Sequence, residues 1–263
     1  MIAKSLRDHR RAFIWWTIGI SVFMSIYMGV YGSIRENPEI YGAQALAKFP
    51  GALKDLMGGL QDFTSGAGYL QSVVYQLFVP FLFIACAMSA ANRAIAQPEE
   101  AGTLELIVTL PIDRKRLILD RFVALVLGLL AVALVTLLLT WALAEAVGIG
   151  VPFGRILAAH TGVFLLGLFF GTLALAVGAA TGHKAPAMAA VGVWAVLGYA
   201  VVTVVKNIEA VAWLKWVSPF HYYAQGQPLF QGLPVGDYLV LLGATAVLAL
   251  TAILAFDRRD VGV

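Results

Sequence analysis

Six runs of apolar residues dominate this chain, and each run is about as long as a helix that crosses a membrane. A bilayer core is about 30 Å thick, so a spanning helix needs about 20 apolar residues. The runs therefore predict an all-α polytopic membrane protein with six transmembrane helices in a single domain, 1–263. The predicted spans lie at about 13–33, 69–91, 118–146, 157–180, 186–205 and 238–256.

The composition supports this class. Hydrophobic residues make up 60% of the chain and charged residues 13%, whereas soluble domains average about 25% charged residues. The formal net charge of +3 is too small to indicate nucleic-acid binding. We therefore expect membrane lipids to surround the chain and no nucleic acid to bind it.

Lysine and arginine residues are unevenly divided between the two sides of the predicted spans. An even number of spans places both termini on one side, and 12 of the 18 basic residues fall in the segments on that side. Because segments rich in lysine and arginine stay in the cytoplasm, we predict that both termini are cytoplasmic.

Two longer segments, at about 34–68 and 206–237, are predicted to lie on the outer side. The first has an apolar helical face and should form an amphipathic helix along the membrane surface. The second is rich in Trp, Gly and Pro and predicts short interfacial or re-entrant helices. The apolar face of the first segment consists of Leu46, Phe49, Leu53, Leu56, Met57 and Leu60.

A charged insert separates the second and third spans on the inner side. Pro98 suits the first position of a helix, and Glu99 and Glu100 suit its positive dipole end. Pro111 should end that helix. The predicted helix, about 98–110, is about 18 Å long and too short to cross a bilayer. A charged helix placed there predicts a docking surface for a soluble partner.

This insert resembles the signature of ABC-2 type permeases, the membrane subunits of bacterial ABC exporters. The long first outer segment and residues 218–223 resemble the antibiotic or multidrug exporter branch of that family. The insert residues that carry the resemblance are Glu99, Glu100, Gly102, Thr103, Leu104, Glu105, Pro111, Ile112 and Arg114.

The resemblance implies a function as a permease subunit in a bacterial cytoplasmic membrane. The insert would be a coupling helix that docks on a separate P-loop ATPase, which would bind ATP and Mg²⁺. Two copies of the chain, or a copy and a paralogue, would form the transporter. The resemblance assigns ATPase coupling to Glu99, Glu100, Gly102, Thr103, Leu104, Glu105 and Arg114.

The chain itself lacks an ATP-binding motif. A P-loop has the pattern Gly-x-x-x-x-Gly-Lys-Ser/Thr, and this sequence contains no Gly-Lys pair. The chain has one cysteine, Cys86, and its histidines lack the spacing of a metal site. We therefore expect no catalytic site, cofactor or metal on this chain.

Polar residues within the spans are further candidates. Gln71, Tyr75 and Gln76 place polar groups in the second span, and in the resembled family the second and fifth spans line the central path. Glu145 and Arg155, close to His160, are candidates for a structural ion pair or, alternatively, for a contact with the substrate.

Small residues repeat on one face of the fourth span. Small side chains at four-residue spacing let helix backbones approach closely. This face predicts close packing within the subunit or, alternatively, a dimer seam. Its members are Gly167, Gly171, Ala174, Gly178 and Gly182.

Two other functions remain open at this point. The same fold could serve as a non-transporting membrane anchor or sensor. An intramembrane enzyme is disfavoured, because the paired carboxylates Glu99 and Glu100 would need an arginine at position 103, where this chain has Thr103.

Overall fold

The computed structural model describes residues 2–41, 47–51, 63–103, 113–204 and 209–259. Six helices in these ranges are long and apolar enough to cross a membrane, and the described ranges contain no β-strand. The prediction of an all-α fold with six spans is thereby confirmed. The spans, in chain order, are Ile2–Arg35, Gly66–Ala94, Arg114–Ala146, Phe153–Thr181, Lys184–Thr203 and Val235–Asp257.

The fourth span is the centre of the bundle. Within its apolar window 83% of the residues are buried, against 17% in the first span. The fourth span packs mainly against the second and sixth spans and also touches the third and fifth. The first span packs against the third. The two ends of the fourth span therefore lie close to the ends of most other spans.

The first span begins earlier than predicted. One uninterrupted helix covers Ile2–Gly29, followed by a short helix over Tyr31–Arg35. The basic segment before position 13 therefore belongs to the same helix as the span. It contains neither Pro nor Gly, so nothing in its sequence breaks the helix. Arg121 of the third span also donates a hydrogen bond to Ser5 Oγ at 3.1 Å.

The second span is irregular. A short helix, Gly66–Tyr69, passes into a π-helix, Leu70–Tyr75, and the span continues as an α-helix over Phe78–Ala94. Pro80 has no N–H to donate to the carbonyl four residues earlier. Leu77, between the π-helix and the α-helix, has φ −130° and ψ −61°, outside the helical region. The entry to this span is therefore bent away from regular α-geometry.

Short helices lie in the connection after the first span and in the connection between the fifth and sixth spans. Pro38–Tyr41 follows the first span. Between the fifth and sixth spans lie a 3₁₀-helix, Glu209–Val217, and the short helices Pro219–Ala224 and Pro228–Gln231. Phe49 of the predicted amphipathic face is exposed. The rest of that face, Leu46, Leu53, Leu56, Met57 and Leu60, lies outside the described residues.

Candidate functional site

The span ends that flank the insert meet at one end of the bundle, which we call the charged end. The C-terminal ends of the second, fourth and sixth spans and the N-terminal ends of the third and fifth lie there. Arg114 Nη1 donates to the carbonyl oxygen of Arg259 at 2.8 Å, which joins the third span to the chain after the sixth. Lys115 Nζ lies 3.3 Å from an Asp257 carboxylate oxygen. The charged end therefore brings together segments that are far apart in sequence.

The insert starts with a helix of five residues, Ala96–Glu100. Pro98 lies in its first turn, where a missing N–H breaks no helical hydrogen bond. Gly102 has φ +66°, the left-handed conformation that ends many helices. Thr103 Oγ1 then donates to the Pro98 carbonyl oxygen at 3.0 Å. The chain therefore leaves the helix at Gly102 instead of continuing as one helix from Pro98, and residues 104–110 of the predicted helix lie outside the described residues.

Glu99 faces the bundle and forms an ion pair with Arg259. Their side chains are only 15% and 22% exposed. Arg259 Nη1 also donates to the carbonyl oxygen of Ala179, near the end of the fourth span, at 3.0 Å. Gly182, with φ +74°, leaves the space for this pair, because a Cβ there would collide with both side chains. Glu99 and Arg259 thus join the insert to the fourth span.

Glu100 binds the start of the fifth span. One of its carboxylate oxygens accepts the backbone N–H of Lys184 at 2.9 Å, and the other lies 3.4 Å from Lys184 Nζ. His183 Nδ1 is 3.8 Å from the same carboxylate. The hydrogen bond from the Lys184 backbone, with the nearby positive charges, lowers the pKa of the Glu100 carboxyl group. Glu100 therefore stays ionised at neutral pH and joins the insert to the fifth span.

The predicted coupling residues divide into two groups. Glu99, Glu100 and Arg114 are bound within the chain. Gly102 and Thr103 are exposed, so a partner could reach them. Leu104 and Glu105 lie outside the described residues, as do Pro111 and Ile112. No metal-binding cluster occurs among the described side chains.

The polar residues of the second span lie near the opposite end of the bundle, which we call the outer end. Gln71 and Gln76 line a cavity of about 190 Å³. Tyr75 does not line it. Its hydroxyl is 2.7 Å from His160 Nδ1, and His160 Nε2 is 3.2 Å from Thr136 Oγ1. All three of these side chains are buried, so they connect the second, third and fourth spans.

Sequence reasoning missed most of the residues around this cavity. They come from the fifth span and from the short helices before the sixth span. Gln225 and Gln227, just after residues 218–223, were the sequence signal for polar residues at this cavity. Their spacing did not show which span they face. The missed residues that line the cavity are Val202, Thr203, Phe220, His221, Ala224, Gln225, Gln227 and Phe230.

Glu145 and Arg155 do not form the predicted ion pair. Both side chains are exposed, and no salt bridge within 4 Å joins them in the described part of the chain. Holding two long exposed side chains in one geometry costs conformational entropy. The free energy gained from an exposed ion pair barely offsets this cost. His160, which the sequence places near them, is buried against Tyr75 instead.

The small-residue face of the fourth span packs within the subunit. A Cβ at Gly171 would lie 2.9 Å from the Cβ of Ala87, and one at Gly167 would lie 3.4 Å from the Cβ of Phe83. Gly178 approaches Ala96 in the same way. Ala174 is buried, and Gly182 ends the helix beside Glu99 and Arg259. In this structure most of the small face contacts the second span and the insert.

Comparison with known families agrees with this layout. Residues 1–261 match the family described as ABC-2 family transporter protein. No curated protein matches the chain. The family match covers nearly the whole chain, and the six apolar helices are those of a multi-pass membrane protein. The chain therefore belongs to the ABC-2 family of transporter proteins.

Proposed function

We propose that this chain is the permease subunit of an ATP-driven exporter in a bacterial cytoplasmic membrane. Two copies, or a copy and a paralogue, would form the translocation path, and a separate P-loop ATPase would bind and hydrolyse ATP with Mg²⁺. The observation that carries the proposal is the attachment of the insert. Glu99 and Glu100 bind it to the fourth and fifth spans, while Gly102 and Thr103 remain exposed.

This attachment suits the transfer of a mechanical force. A push on the exposed side of the insert reaches the fourth span through Glu99 and Arg259 and the fifth span through Glu100 and Lys184. Arg114 adds a connection to the third span. ATP-driven closure of the ATPase would thus act on several spans at once. The sequence has no phosphate-binding loop, and in this proposal a separate chain supplies the energy.

The first test changes the charge of Glu100. Glu100→Arg places a cation beside Lys184 and His183, so the insert should separate from the fifth span. We expect the variant to insert into the membrane normally but to lose ATP-dependent transport and most of its association with the partner ATPase. Co-purification and transport in vesicles measure these effects. The control is Glu39→Arg, which changes an exposed glutamate in the short helix Pro38–Tyr41.

A second pair of variants tests the turn at Gly102. Gly102→Ala is strained at φ +66° and should change the direction in which the insert leaves its first helix. Gly102→Asn is the matched control, because Asn adopts this conformation more readily. We expect ATPase association to fall in the Ala variant and to be largely retained in the Asn variant. Normal association and transport in both Glu100→Arg and Gly102→Ala would contradict coupling through the insert.

A further inference from the structure

The cavity at the outer end has an unusual lining. Four of its ten lining residues are glutamines, and none of the described lining residues is Asp, Glu, Lys or Arg. Thr203 and His221 lie deeper and are buried, whereas Gln225 and Gln227 are exposed at the mouth. Phe220 and Phe230 add aromatic surface. The cavity thus offers hydrogen-bonding groups beside aromatic rings, without a fixed charge.

The π-helix explains how two of the glutamines come together. In an α-helix, residues five apart point in different directions, whereas a π-helix closes its hydrogen bonds at i→i+5 and brings such residues onto one side. Gln71 Nε2 donates to Gln76 Oε1 at 3.4 Å. The Oε1 atom of Gln71 is buried and has no hydrogen-bond partner among the described residues. It is therefore an acceptor that a ligand could satisfy.

The other lining groups complete a mixed set of donors and acceptors. The Thr203 hydroxyl donates to the Tyr199 carbonyl oxygen at 2.8 Å, so only its lone pairs remain for a ligand. Burial and the nearby Lys215 lower the pKa of His221, which keeps its ring neutral at pH 7. Gln227 has φ +41°, a strained conformation that is often found at binding sites.

We propose that this cavity binds an uncharged ligand group that carries hydroxyls or amides, each of which both donates and accepts hydrogen bonds. A charged group would find no counter-charge on the described lining residues. That this ligand is the exported cargo rests on the proposed function, whereas the binding itself does not. The groups that hold the ligand are on Gln71, Gln76, Thr203, His221 and Gln227, whereas Gln225 lies at the mouth.

The test uses the full chain in membranes, without any ATPase. Because Cys86 is the only cysteine, Gln225→Cys in a Cys86→Ala background gives one reactive thiol at the mouth of the cavity. A membrane-impermeant maleimide then measures its labelling rate. The matched control is Gln231→Cys, an exposed position on the same outer segment that does not line the cavity.

Two neutral probes show whether the cavity binds hydroxyls or amides. Glucose supplies hydroxyls and N-acetylglycinamide supplies amides, and their charged counterparts are glucuronate and N-acetylglycinate. We expect at least one neutral probe to slow labelling of the Gln225→Cys variant, by about threefold when the probe is at twice its dissociation constant. The charged counterparts should slow it much less, and labelling of the Gln231→Cys variant should not change.

Further variants connect the protection to the lining residues. Gln76→Leu in the Gln225→Cys background has similar volume but no amide, so the protection should be lost. Its labelling rate without a probe shows whether the mouth is intact, and Thr203→Val offers a second position if Gln76→Leu misfolds. Absence of protection by both neutral probes, or equal protection by the charged ones, would overturn the proposal. Neither result would bear on ATPase coupling, because no ATPase takes part.

Discussion

Glu99 and Glu100 are neighbours in sequence but bind different parts of the bundle. Glu99 is nearly buried and pairs with Arg259, whereas Glu100 is more exposed and pairs with Lys184. One oxygen of Glu99 is buried without a hydrogen-bond partner in the described part of the chain. Removing Arg259 would therefore leave the Glu99 carboxylate poorly compensated. We expect the stability of the protein to depend more on the partner of Glu99 than on the partner of Glu100.

Arg259→Ala should lower the free energy of unfolding by about 2–3 kcal/mol. This is less than for a fully buried pair, because both side chains keep some contact with solvent. Thermal unfolding in detergent measures the change. The double variant Glu99→Gln with Arg259→Gln should recover part of the loss, because no unpaired charge remains. Arg258→Ala, at an exposed neighbouring position, is the control. An equal loss in the control would contradict the role of the pair.

The attachment of Glu100 should depend on pH. Its carboxyl pKa in the folded protein lies below its usual value of 4.5, so the stabilisation is present above about pH 4.5. It is lost as the pH falls through the lower, folded-state pKa. Hydrogen exchange of the Lys184 amide, which donates to Glu100, reports on this contact. Its protection factor should fall in acid in the wild type and be low at every pH in Glu100→Ala, which has no side-chain acceptor for the Lys184 N–H. Equal protection in both proteins would contradict the contact.

At the scale of single residues, the sequence predicts which side chains are important but not which residues they contact. The charge and position of Glu99 and Glu100 indicated a helix that starts at Pro98, but the helix starts at Ala96 and Glu100 is its last residue. Their partners, Arg259 and Lys184, come from segments far along the chain. Such pairs depend on how the spans pack. The same holds for His160, whose partner Tyr75 belongs to another span.

At the scale of the helices, the fourth span depends on its small residues. The glycine at position 171 lets this helix approach Ala87 of the second span closely. The spacing of the small residues predicted a close contact but left its partner open. The π-helix in the second span was not predicted, because the periodicity of six residues does not distinguish a π-helix from an α-helix. The break at Gly102 carried a signal, since glycine favours positive φ.

Gly171→Ala should destabilise the protein by about 1–2 kcal/mol. The added methyl group would lie 2.9 Å from the Cβ of Ala87 and 3.3 Å from Leu125 Cδ2, so the two helices must move apart. The control is Gly192→Ala in the fifth span, where no atom lies within 4 Å of the added methyl group. Its melting temperature should stay the same or rise slightly, because Ala favours a helix more than Gly. Equal effects of the two changes would contradict the close contact.

For the whole molecule, the number of spans followed directly from the sequence. Apolar runs of spanning length are a property of composition, and all six appear as helices. The sequence did not predict which spans pack against each other, since any apolar helix can contact any other in a bilayer. The orientation still rests on the division of lysine and arginine between the two ends, and it is a prediction that labelling can test.

Single cysteines at the two ends of the bundle test the orientation. In a Cys86→Ala background, Gln231→Cys lies at the outer end and Arg258→Cys at the charged end. In intact cells an impermeant maleimide should label only Gln231→Cys, because the distribution of lysine and arginine predicts that the charged end faces the cytoplasm. Arg258→Cys should react after the cells are permeabilised. The reverse pattern would contradict cytoplasmic termini and would remove the insert from reach of a cytoplasmic ATPase.

The contacts among Tyr75, His160 and Thr136 bear on how such a bundle can move. They connect the second, third and fourth spans through buried hydrogen bonds, which are costly to leave unmade away from water. These three spans should consequently shift as one rigid body. The first and fifth spans have far fewer buried residues than the fourth, so we expect the proposed permease to change shape by tilting of these two spans around that body.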